Sequence, residues 1–335
     1  MKILIFRADR VGDFILTSIL INSIKKKFNN AEIHIVASLK NYNFIKNSTL
    51  VNKVHLLPKE DIVKNYKFLR LLSKTKFDYI IVADGKDRSI LISLLFKCNV
   101  RIINIRKKPF SILSILKKNK IIFDNEKEFN KIDILKKNLY FLNCKFETSD
   151  LNIFENRSNL SYLSKKFINL VQKNFILFHF DEKWILDKYI KSYTSIEPSI
   201  EELEKFLINL NLNNNKDIVI TNGIIDNYLF NKLKLNFNKI DDNLYLKQIG
   251  NNKIILFDKA DLDVLIDIIS LSSLVITCHG APTHIASSFD IKIIDIIERN
   301  KQDFYKIYTS HLRNYNKIFR QNFNELTKKI SELLT

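Results

Sequence analysis

Short runs of apolar residues recur along the first third of the chain and alternate with longer amphipathic stretches. The runs ILIF (3–6), EIHIVA (32–37), DYIIVA (78–83) and VRIINI (100–105) are rich in Ile and Val and predict buried β-strands. Between the first two lies DFILTSILINSIKKKF (13–28), in which apolar residues recur at helical spacing and lysines crowd the last turn. Strands that alternate with helices in this way are typical of a parallel, doubly wound sheet, so we predict an α/β fold.

The pattern loosens over residues 106–125, passes through a helical stretch at 126–143, and begins again after the polar segment ETSDLNIFENRSN (147–159). After a helix near 160–173, a second series of strands is predicted at NFILFHF (174–180), DIVITNG (217–223), KIILFD (253–258), LVITCHG (274–280) and IKIIDII (291–297). Helical patterns at 199–211, 226–235, 261–272 and 282–289 separate these strands. We therefore predict one Rossmann-like domain at 1–152, a second at 153–320, and a C-terminal helix at 321–335 that could pack back on the first domain.

The bulk composition is sufficient for two sizeable hydrophobic cores, and it indicates the cellular compartment. The chain has 335 residues, of which 46% are hydrophobic, and no segment resembles a transmembrane helix. The N-terminus lacks the layout of a signal peptide, and the three cysteines form neither a metal pattern nor a disulfide framework, so we expect a cytoplasmic protein. The net charge of +18 has two interpretations: attraction to an anionic partner such as a membrane surface, or the Lys-, Asn- and Ile-rich composition of an AT-rich genome.

Glycine is rare, and four of the five glycines follow predicted strands: Gly12, Gly85, Gly223 and Gly280. Ligands of open parallel sheets bind at the carboxyl ends of the strands, and glycine there lets the backbone approach a ligand closely. Each one could equally mark an ordinary strand-to-helix turn, but together they favour a binding crevice. The motifs GxGxxG after the first strand, GxxxxGK[ST], HExxH and GxSxG are absent, which argues against NAD dehydrogenases, P-loop NTPases, zinc proteases and serine hydrolases.

Three polar stretches sit at predicted strand ends. In RADRVGDFILTS (7–18), Asp13 falls in the first helical turn, where it serves either as a cap or as a general base, with Arg7 and Arg10 beside it. In TCHGAPTHIASSF (277–289), Pro282 and Thr283 mark a helix start of the kind that binds a diphosphate. The stretch FHFDEKW (178–184) contributes another histidine and a lysine, and a packing role is the simple explanation for Trp184.

These stretches resemble the ADP-heptose:lipopolysaccharide heptosyltransferase family, glycosyltransferase family 9. RADRVGDFILTSILINSIKKKF is similar to the family's amino-terminal signature, FDYIIVADGKDRS (77–89) to its Asp-x-x-Gly turn, FHFDEKW to its donor-side lysine segment, and VITCHGAPTHIASSFDIKIIDI to its V-D-T-G-x-x-H-L-A-A motif. The resemblance covers most of the chain in order. The family's motif aspartate falls at His279 and its Thr-Gly at Gly280-Ala281, which implies a different donor sugar, a different nucleotide or a loss of activity.

The resemblance implies a GT-B fold with two Rossmann-like domains facing across a cleft, and an inverting, metal-independent glycosyltransferase with Asp13 as the general base. The donor would be a nucleotide-sugar, with no cofactor, and the acceptor a cell-envelope glycolipid or polysaccharide reached by peripheral contact with the cytoplasmic face of the inner membrane. The expected donor-binding residues are His179, Lys183, Gly223, His279, Gly280, Ala281, Pro282, Thr283 and His284. The expected acceptor-binding residues are Arg7, Arg10, Gly12, Lys86 and Arg88.

Two other functions remain open at this point. A basic, non-catalytic protein that binds nucleic acid or another anion would also explain the charge, although no RNP, KH or helix-turn-helix pattern is present. A transferase homologue that keeps the fold without the activity would explain His279.

Overall fold

A computed structural model of the chain describes residues 1–58, 62–106, 108–124, 130–154, 167–172 and 174–334. The chain divides into two compact units: unit 1 comprises Met1–Ile153 with Lys306–His311, and unit 2 comprises Phe154–Tyr305 with Leu312–Thr335. The change of unit after Ile153 lies one residue from the boundary that the polar segment predicts. Residues 306–311 belong to unit 1 although they are distant from it in sequence, and no local sequence pattern predicts this.

Unit 1 is built on a six-stranded parallel sheet in the order β3-β2-β1-β4-β5-β6. Its strands are β1 (Lys2–Arg7), β2 (Glu32–Ala37), β3 (Lys53–Leu56), β4 (Phe77–Val82), β5 (Cys98–Ile105) and β6 (Asn119–Phe123). Its helices are α1 (Val11–Lys27), α2 (Tyr42–Lys46), α3 (Ile62–Ser73), α4 (Asp87–Leu94) and α5 (Lys131–Phe141), with 3₁₀ segments at Lys108–Ile115 and Thr148–Leu151.

The apolar strands of unit 1 are buried because helical segments cover the sheet. One cluster joins Leu4 and Phe6 of β1 to Phe68 and Leu72 of α3, and it includes Ile90 of α4. Phe110 and Leu113 of the first 3₁₀ segment pack against the same cluster. Alternate strand residues such as Ile3 and Ile5 point to the other face and are also fully buried. Burial on both faces explains why these strands appear in the sequence as continuous apolar runs.

Unit 2 contains an eight-stranded sheet in the order β14-β13-β12-β7-β8-β11-β10-β9. Its strands are β7 (Ile176–His179), β8 (Ile218–Thr221), β9 (Asn238–Asp241), β10 (Leu244–Ile249), β11 (Asn252–Phe257), β12 (Leu274–Cys278), β13 (Lys292–Ile297) and β14 (Tyr315–Phe319). This sheet is parallel except at one edge, where β10 runs antiparallel to both β9 and β11. Tight turns cause this reversal, one at residues 242–243 and one at Gly250, which has a φ of 56°.

The helices of unit 2 are α6 (Ile200–Asn214), α7 (Tyr228–Lys234), α8 (Leu262–Leu271), α9 (Ala281–Ser288), α10 (Gln302–Thr309) and α11 (Phe323–Glu332), and α10 ends in the segment assigned to unit 1. The expectation that the C-terminal helix packs back on the first domain is corrected. Its apolar residues Phe323, Leu326 and Ile330 are buried in the core cluster of unit 2, beside Trp184 and Phe206. The apolar face of this helix is therefore packed against the core of unit 2.

The prediction of two Rossmann-like units is confirmed, with five of the described strands missed: β3, β6, β9, β10 and β14. The helix predicted near 160–173 lies largely outside the described residues, as does the start of the one predicted at 126–143. Within the described part of the chain, every helix is too short or too polar to cross a membrane.

Candidate functional site

Each sheet has a point where the strand order reverses. In unit 1, β1 and β4 are neighbours, and the chain continues from them toward opposite edges of the sheet. In unit 2, β7 and β12 are neighbours with the same property. The crevice outside the carboxyl ends of such a strand pair is the usual ligand site of a doubly wound sheet. The residues singled out from the sequence, except Gly223, lie at or after the ends of these four strands.

Asp13 lies in the first turn of α1, close behind β1. The N-cap residue Arg10 makes no capping bond with its side chain, so the carboxylate of Asp13 provides the negative charge at this helix start. Burial raises the pKa of the Asp13 carboxyl and Asp9 raises it further, while Arg7 and a hydrogen bond to the Arg10 backbone lower it. The net shift is upward, the direction that suits a carboxylate acting as a base near neutral pH.

Arg7 connects this carboxylate to its neighbours. Burial lowers the pKa of the Arg7 guanidinium, but Asp9, Asp13 and Asp84 raise it above its ordinary value, so the charge is retained. One guanidinium nitrogen donates to Oδ2 of Asp9 at 2.8 Å. Nε of Arg7 and Oδ1 of Asp9 are buried without a hydrogen-bond partner among the residues that the structure describes. Buried polar atoms of this kind need another partner, such as water or a ligand.

A cavity of about 50 Å³ borders Asp13 and Arg7. Its other charged lining groups are Arg106, Asp124 and Lys131, at the ends of β5 and β6 and the start of α5. Nζ of Lys131 lies 3.0 Å from both carboxylate oxygens of Asp124. This volume holds one or two water molecules or a hydroxyl group, but not a whole sugar. Arg106, Asp124 and Lys131 were not predicted, because they follow strands whose ends the sequence defined poorly.

Asp84, directly after β4, organises the turn opposite Arg7. The side chain is buried and accepts from Ala8 N at 3.1 Å, Lys86 N at 3.2 Å and Ser89 Oγ at 2.8 Å. Burial raises the pKa of the Asp84 carboxyl. Lys86 in turn donates from Nζ to the carbonyl of Ala8. Asp84 thus joins the β1–α1 turn to the β4–α4 turn and fixes the backbone that carries Asp13.

The remaining predicted acceptor residues are less closely placed. Gly12 is the second residue of α1 and its φ is not positive, so its backbone conformation does not require glycine. Arg10 is exposed, and Arg88 donates to the carbonyl of Pro58 and to Asn65. Of the five, only Arg7 lines the cavity beside Asp13.

In unit 2, a buried ionic cluster follows β7. Oδ2 of Asp181 lies 2.6 Å from Nζ of Lys183 and 3.6 Å from Nε2 of His179. Burial alone would raise the pKa of the Asp181 carboxyl, but Lys183 and His179 bring it well below its usual range. Burial lowers the pKa of Lys183, and the attraction of Asp181 more than reverses this effect. A positively charged lysine is therefore held at the end of the central strand.

Gly280, directly after β12, gives that lysine room. A Cβ atom at Gly280 would lie 2.7 Å from Nζ of Lys183, well inside van der Waals contact. At Gly223, after β8, a Cβ atom would meet Glu182 at 3.4 Å and Asp181 at 3.7 Å, which are ordinary contacts. The structure therefore brings Lys183 and Gly280 together, while Gly223 has no comparable steric requirement.

His279 and the start of α9 share a buried carboxylate, Asp295 of β13. Asp295 accepts from His279 Nδ1 at 2.7 Å, Thr283 Oγ1 at 3.0 Å and Tyr315 OH at 2.9 Å. Thr283 Oγ1 also accepts from the backbone of Gly280 at 3.2 Å, so one network fixes the imidazole and the helix start. Because Asp295 holds Nδ1, the orientation of the His279 ring is set and Nε2 remains for another partner.

The other residues of this stretch lie in the first turn of α9: Ala281, Pro282, Thr283 and His284. The ring of His284 contacts that of His279 edge-on, at 5.4 Å between centroids. Tyr305 packs on the other side of His279 at 4.8 Å. Helix starts of this kind offer backbone N–H groups to an anion. Trp184 is fully buried and donates to the carbonyl of His179 at 2.9 Å, so its role is packing.

Sequence reasoning missed the supporting groups of this site. Asp295 sits inside the apolar run IKIIDII, and a carboxylate in a buried strand is itself a signal that a partner is required. Arg320 is buried after β14 and donates to the carbonyls of Lys183 at 2.7 Å and Thr194 at 3.0 Å, which no local pattern predicts. Among the described residues, no group of three or more His, Cys, Asp or Glu side chains could hold a metal ion.

Known proteins resemble this chain in fold over its whole length, but in amino-acid sequence over only part of it. No family model matches. Lipopolysaccharide heptosyltransferase 1 of Campylobacter coli is 29% identical over 101 residues, which is 30% of this chain and 30% of that protein. The sequence similarity therefore covers less than a third of either protein.

Solved structures match nearly the whole chain. The glycosyl transferase family 9 protein of Veillonella parvula has a TM-score of 0.64 at 13% identity, covering 99% of this chain and 90% of that one. The Escherichia coli heptosyltransferase WaaC with ADP has a TM-score of 0.63 at 12% identity, with coverages of 99% and 97%. The UDP-GlcNAc 2-epimerase of Methanocaldococcus jannaschii scores 0.54 at 15% identity, with coverages of 100% and 93%. At these identities the likeness establishes a GT-B-type fold.

Proposed function

We propose that the protein is an inverting glycosyltransferase that moves a sugar from a nucleotide-sugar to a saccharide of the lipopolysaccharide type. The observation that carries the proposal is the placement of Asp13, with its raised pKa, at the strand-order reversal of unit 1. The partial match to a lipopolysaccharide heptosyltransferase and the fold shared with a heptosyltransferase bound to ADP support this assignment.

In the proposed reaction, Asp13 removes the proton from the acceptor hydroxyl as the oxygen attacks the anomeric carbon. The bond between that carbon and the nucleotide's diphosphate oxygen breaks, and attack from the opposite side inverts the configuration. Arg7, paired with Asp9, holds the charge next to Asp13 and lies where an anionic acceptor group can bind. Nε of Arg7, which is buried and has no hydrogen-bond partner within the described part of the chain, is the donor we assign to that group.

The donor side of the proposal rests on unit 2. Negative charge develops on the leaving diphosphate, and preorganised positive groups lower the barrier where such charge develops. Lys183 supplies a charged ammonium whose position is fixed by Asp181 and by the space at Gly280. The start of α9 supplies backbone N–H groups, oriented by the network of Asp295. Ala281, Pro282 and His284 complete the proposed diphosphate site.

His279 is the residue from which we infer an altered donor specificity. An imidazole replaces the aspartate of the family motif that the sequence resembles, and Asp295 fixes its ring. Nε2 of a neutral ring accepts a hydrogen bond, and that of a charged ring donates one. We propose that this nitrogen contacts the donor sugar or its nucleotide, so that a sugar other than heptose is accommodated.

The test measures acceptor-dependent release of nucleotide from ADP-, UDP- and GDP-sugars, with truncated lipopolysaccharide as the acceptor and with EDTA present in one series. We expect turnover that EDTA leaves unchanged and a product of inverted anomeric configuration by NMR. Asp13→Asn should abolish turnover and keep nucleotide binding. Asp87→Asn is the matched control, because Asp87 lies in the first turn of α4 but is exposed.

Two results would contradict the proposal. Conversion of a nucleotide-sugar without any acceptor would favour an epimerase, the activity named for one of the structural neighbours. Full turnover by Asp13→Asn would remove the assigned base.

A further inference from the structure

The outer layer formed by α3, α4 and the 3₁₀ segment Lys108–Ile115 exposes large apolar side chains. These segments already bury apolar residues against the same core cluster, so the exposed ones are additional to the core. The exposed residues and their exposed fractions are Tyr66 (63%), Leu71 (60%), Leu91 (56%), Leu95 (61%), Ile112 (67%), Ile115 (76%) and Leu116 (49%). We call this layer the α3–α4 face. A contiguous exposed apolar patch marks an interaction site.

The three segments are neighbours on one side of unit 1. A groove between α3 and α4 is lined by Leu69 and Asn65 from the first and by Arg88, Leu91 and Ile92 from the second. Buried Arg101 donates to the carbonyl of Phe96, just after α4, at 2.8 Å and to Asn119 at 3.1 Å. Asn119 donates to the carbonyl of Leu113 in the 3₁₀ segment at 2.8 Å. This chain of contacts holds the three segments in one continuous layer.

The charged side chains of the α3–α4 face are basic with one exception, the exposed Asp87 of α4. Its exposed basic side chains are Lys67, Arg70, Lys74, Lys76, Arg88, Lys97, Lys117 and Lys118. Within residues 62–76, 86–99 and 108–118 of the sequence, Asp87 is the only acidic residue. Elsewhere in the chain acidic residues are interspersed with basic ones, as in residues 181–205. The positive charge is therefore concentrated around the exposed apolar residues.

We propose that the α3–α4 face is a docking surface for an anionic lipid bilayer. Aliphatic side chains such as Ile112 and Ile115 enter the boundary between headgroups and acyl chains, and the surrounding lysines and arginines contact anionic headgroups. Long basic side chains suit this position, because their methylene stems cover apolar surface while their charges reach outward. The face belongs to the unit that carries Asp13, so binding would bring that unit to a membrane-linked acceptor.

Two other occupants fit the face less well. Nucleic acid satisfies the charge through its phosphates but leaves the exposed aliphatic residues in water. A second copy of the chain satisfies the apolar residues but brings two positively charged faces together, which repel each other. The inference does not depend on sugar transfer, since membrane binding can be measured without any donor or acceptor.

The first test is sedimentation with vesicles of phosphatidylethanolamine and phosphatidylglycerol, and with vesicles of phosphatidylcholine alone. We expect the full chain to bind the anionic vesicles and to dissociate as salt is raised. The double variant Lys117→Glu/Lys118→Glu should bind about 30-fold more weakly, from about 1 kcal/mol per basic residue at the surface. The matched control Lys328→Glu/Lys329→Glu lowers the net charge equally, on exposed residues of α11, and should retain most of the binding.

The apolar part of the proposal has its own variants. Ile112→Ser/Ile115→Ser should weaken vesicle binding at constant charge, whereas Leu212→Ser/Leu235→Ser, at exposed positions of unit 2, should not. Insertion can be observed directly, because the single tryptophan, Trp184, is fully buried and gives a constant background. Fluorescence of Ile115→Trp should shift to the blue with anionic vesicles, and that of Leu235→Trp should not.

Four outcomes overturn the inference. The first three are no vesicle binding, equal losses of binding in the Lys117/Lys118 and Lys328/Lys329 variants, and no blue shift of Ile115→Trp fluorescence. The fourth is that a second copy of the chain or nucleic acid, and not the bilayer, covers the face. Circular dichroism and thermal unfolding of each variant exclude misfolding as the cause of a loss.

Discussion

Replacing Gly280 with alanine would place a methyl carbon where the structure holds the ammonium of Lys183. The new Cβ would lie 2.7 Å from Nζ and 3.6 Å from Cε of Lys183. The φ of Gly280 is 173°, an extended conformation that alanine adopts without strain. The effect of the substitution therefore comes from displacing the lysine, by roughly 1 Å if normal van der Waals contact is restored.

The size of the effect follows from the ion pair that the lysine makes. Nζ lies 2.6 Å from Oδ2 of Asp181, and both side chains are largely buried. At an effective dielectric constant of about 20, moving the ammonium about 1 Å away weakens this attraction by about 2 kcal/mol. A phosphate bound to Nζ in its original position would lose a similar amount. We therefore expect nucleotide affinity to fall by about 10- to 30-fold.

The assay is isothermal titration of the nucleoside diphosphate that the wild-type protein binds best, with thermal unfolding measured in parallel. Gly223→Ala is the matched control, since it adds the same methyl group after β8, two strands from β12 in the same sheet, with only ordinary contacts. Wild-type affinity in Gly280→Ala, or equal losses in both variants, would refute the reasoning. Lys183→Met should lower nucleotide affinity at least as much, because it removes the charge that Gly280→Ala only displaces from the proposed diphosphate site.

Three further predictions concern the carboxylates and their neighbours. Asp84→Ala should lower the free energy of unfolding by about 3 kcal/mol, because it leaves three donors, two of them buried, without their acceptor, and urea titration should show a clearly smaller loss for Asp84→Asn. Asp13→Asn should raise the melting temperature near neutral pH. Since folding raises the pKa of the Asp13 carboxyl, ionising it opposes folding, so the gain should shrink as the pH falls toward the ordinary value of 3.8. Arg7→Met should shift the rising limb of the pH–rate profile to higher pH, because Arg7 lowers the pKa of Asp13, and an unchanged or lower inflection would contradict the role assigned to Asp13.

The central elements of both units were predictable because their signals are local. Buried parallel strands such as β1 and β12 are continuous apolar runs, and the helices carry both periodicity and caps. Asp258 and Asp261 both precede α8 in the sequence, where either carboxylate is a suitable cap, and it is Asp261 that accepts from Val264 N at 2.8 Å. The other, Asp258, instead binds Asn222 at 2.9 Å and pairs with Lys234. Which carboxylate caps the helix depended on partners that are distant in sequence.

The missed strands lie at or near sheet edges, where the apolar signal is weak. Strand β3 (KVHL) and strand β9 (NKID) have no fully buried residue, and each ends its sheet. Strand β14 (YNKIF) has one, Ile318. Short polar strands of this kind form because a neighbouring strand offers unpaired backbone groups. Because the neighbouring strand decides their pairing, their own sequence does not predict them.

The candidate site divides in the same way. The sequence by itself determined which residues follow the central strands, since strand ends, helix starts and rare glycines are local features; Asp13, Lys183, His279 and Gly280 were all found from them. Only the tertiary structure decided what those residues contact. Asp84 joins two turns, Asp295 holds His279 from the adjacent strand, and Gly280 makes space for a lysine almost a hundred residues away. Such contacts arise from strand order and register, which bring distant segments together and which no single segment encodes.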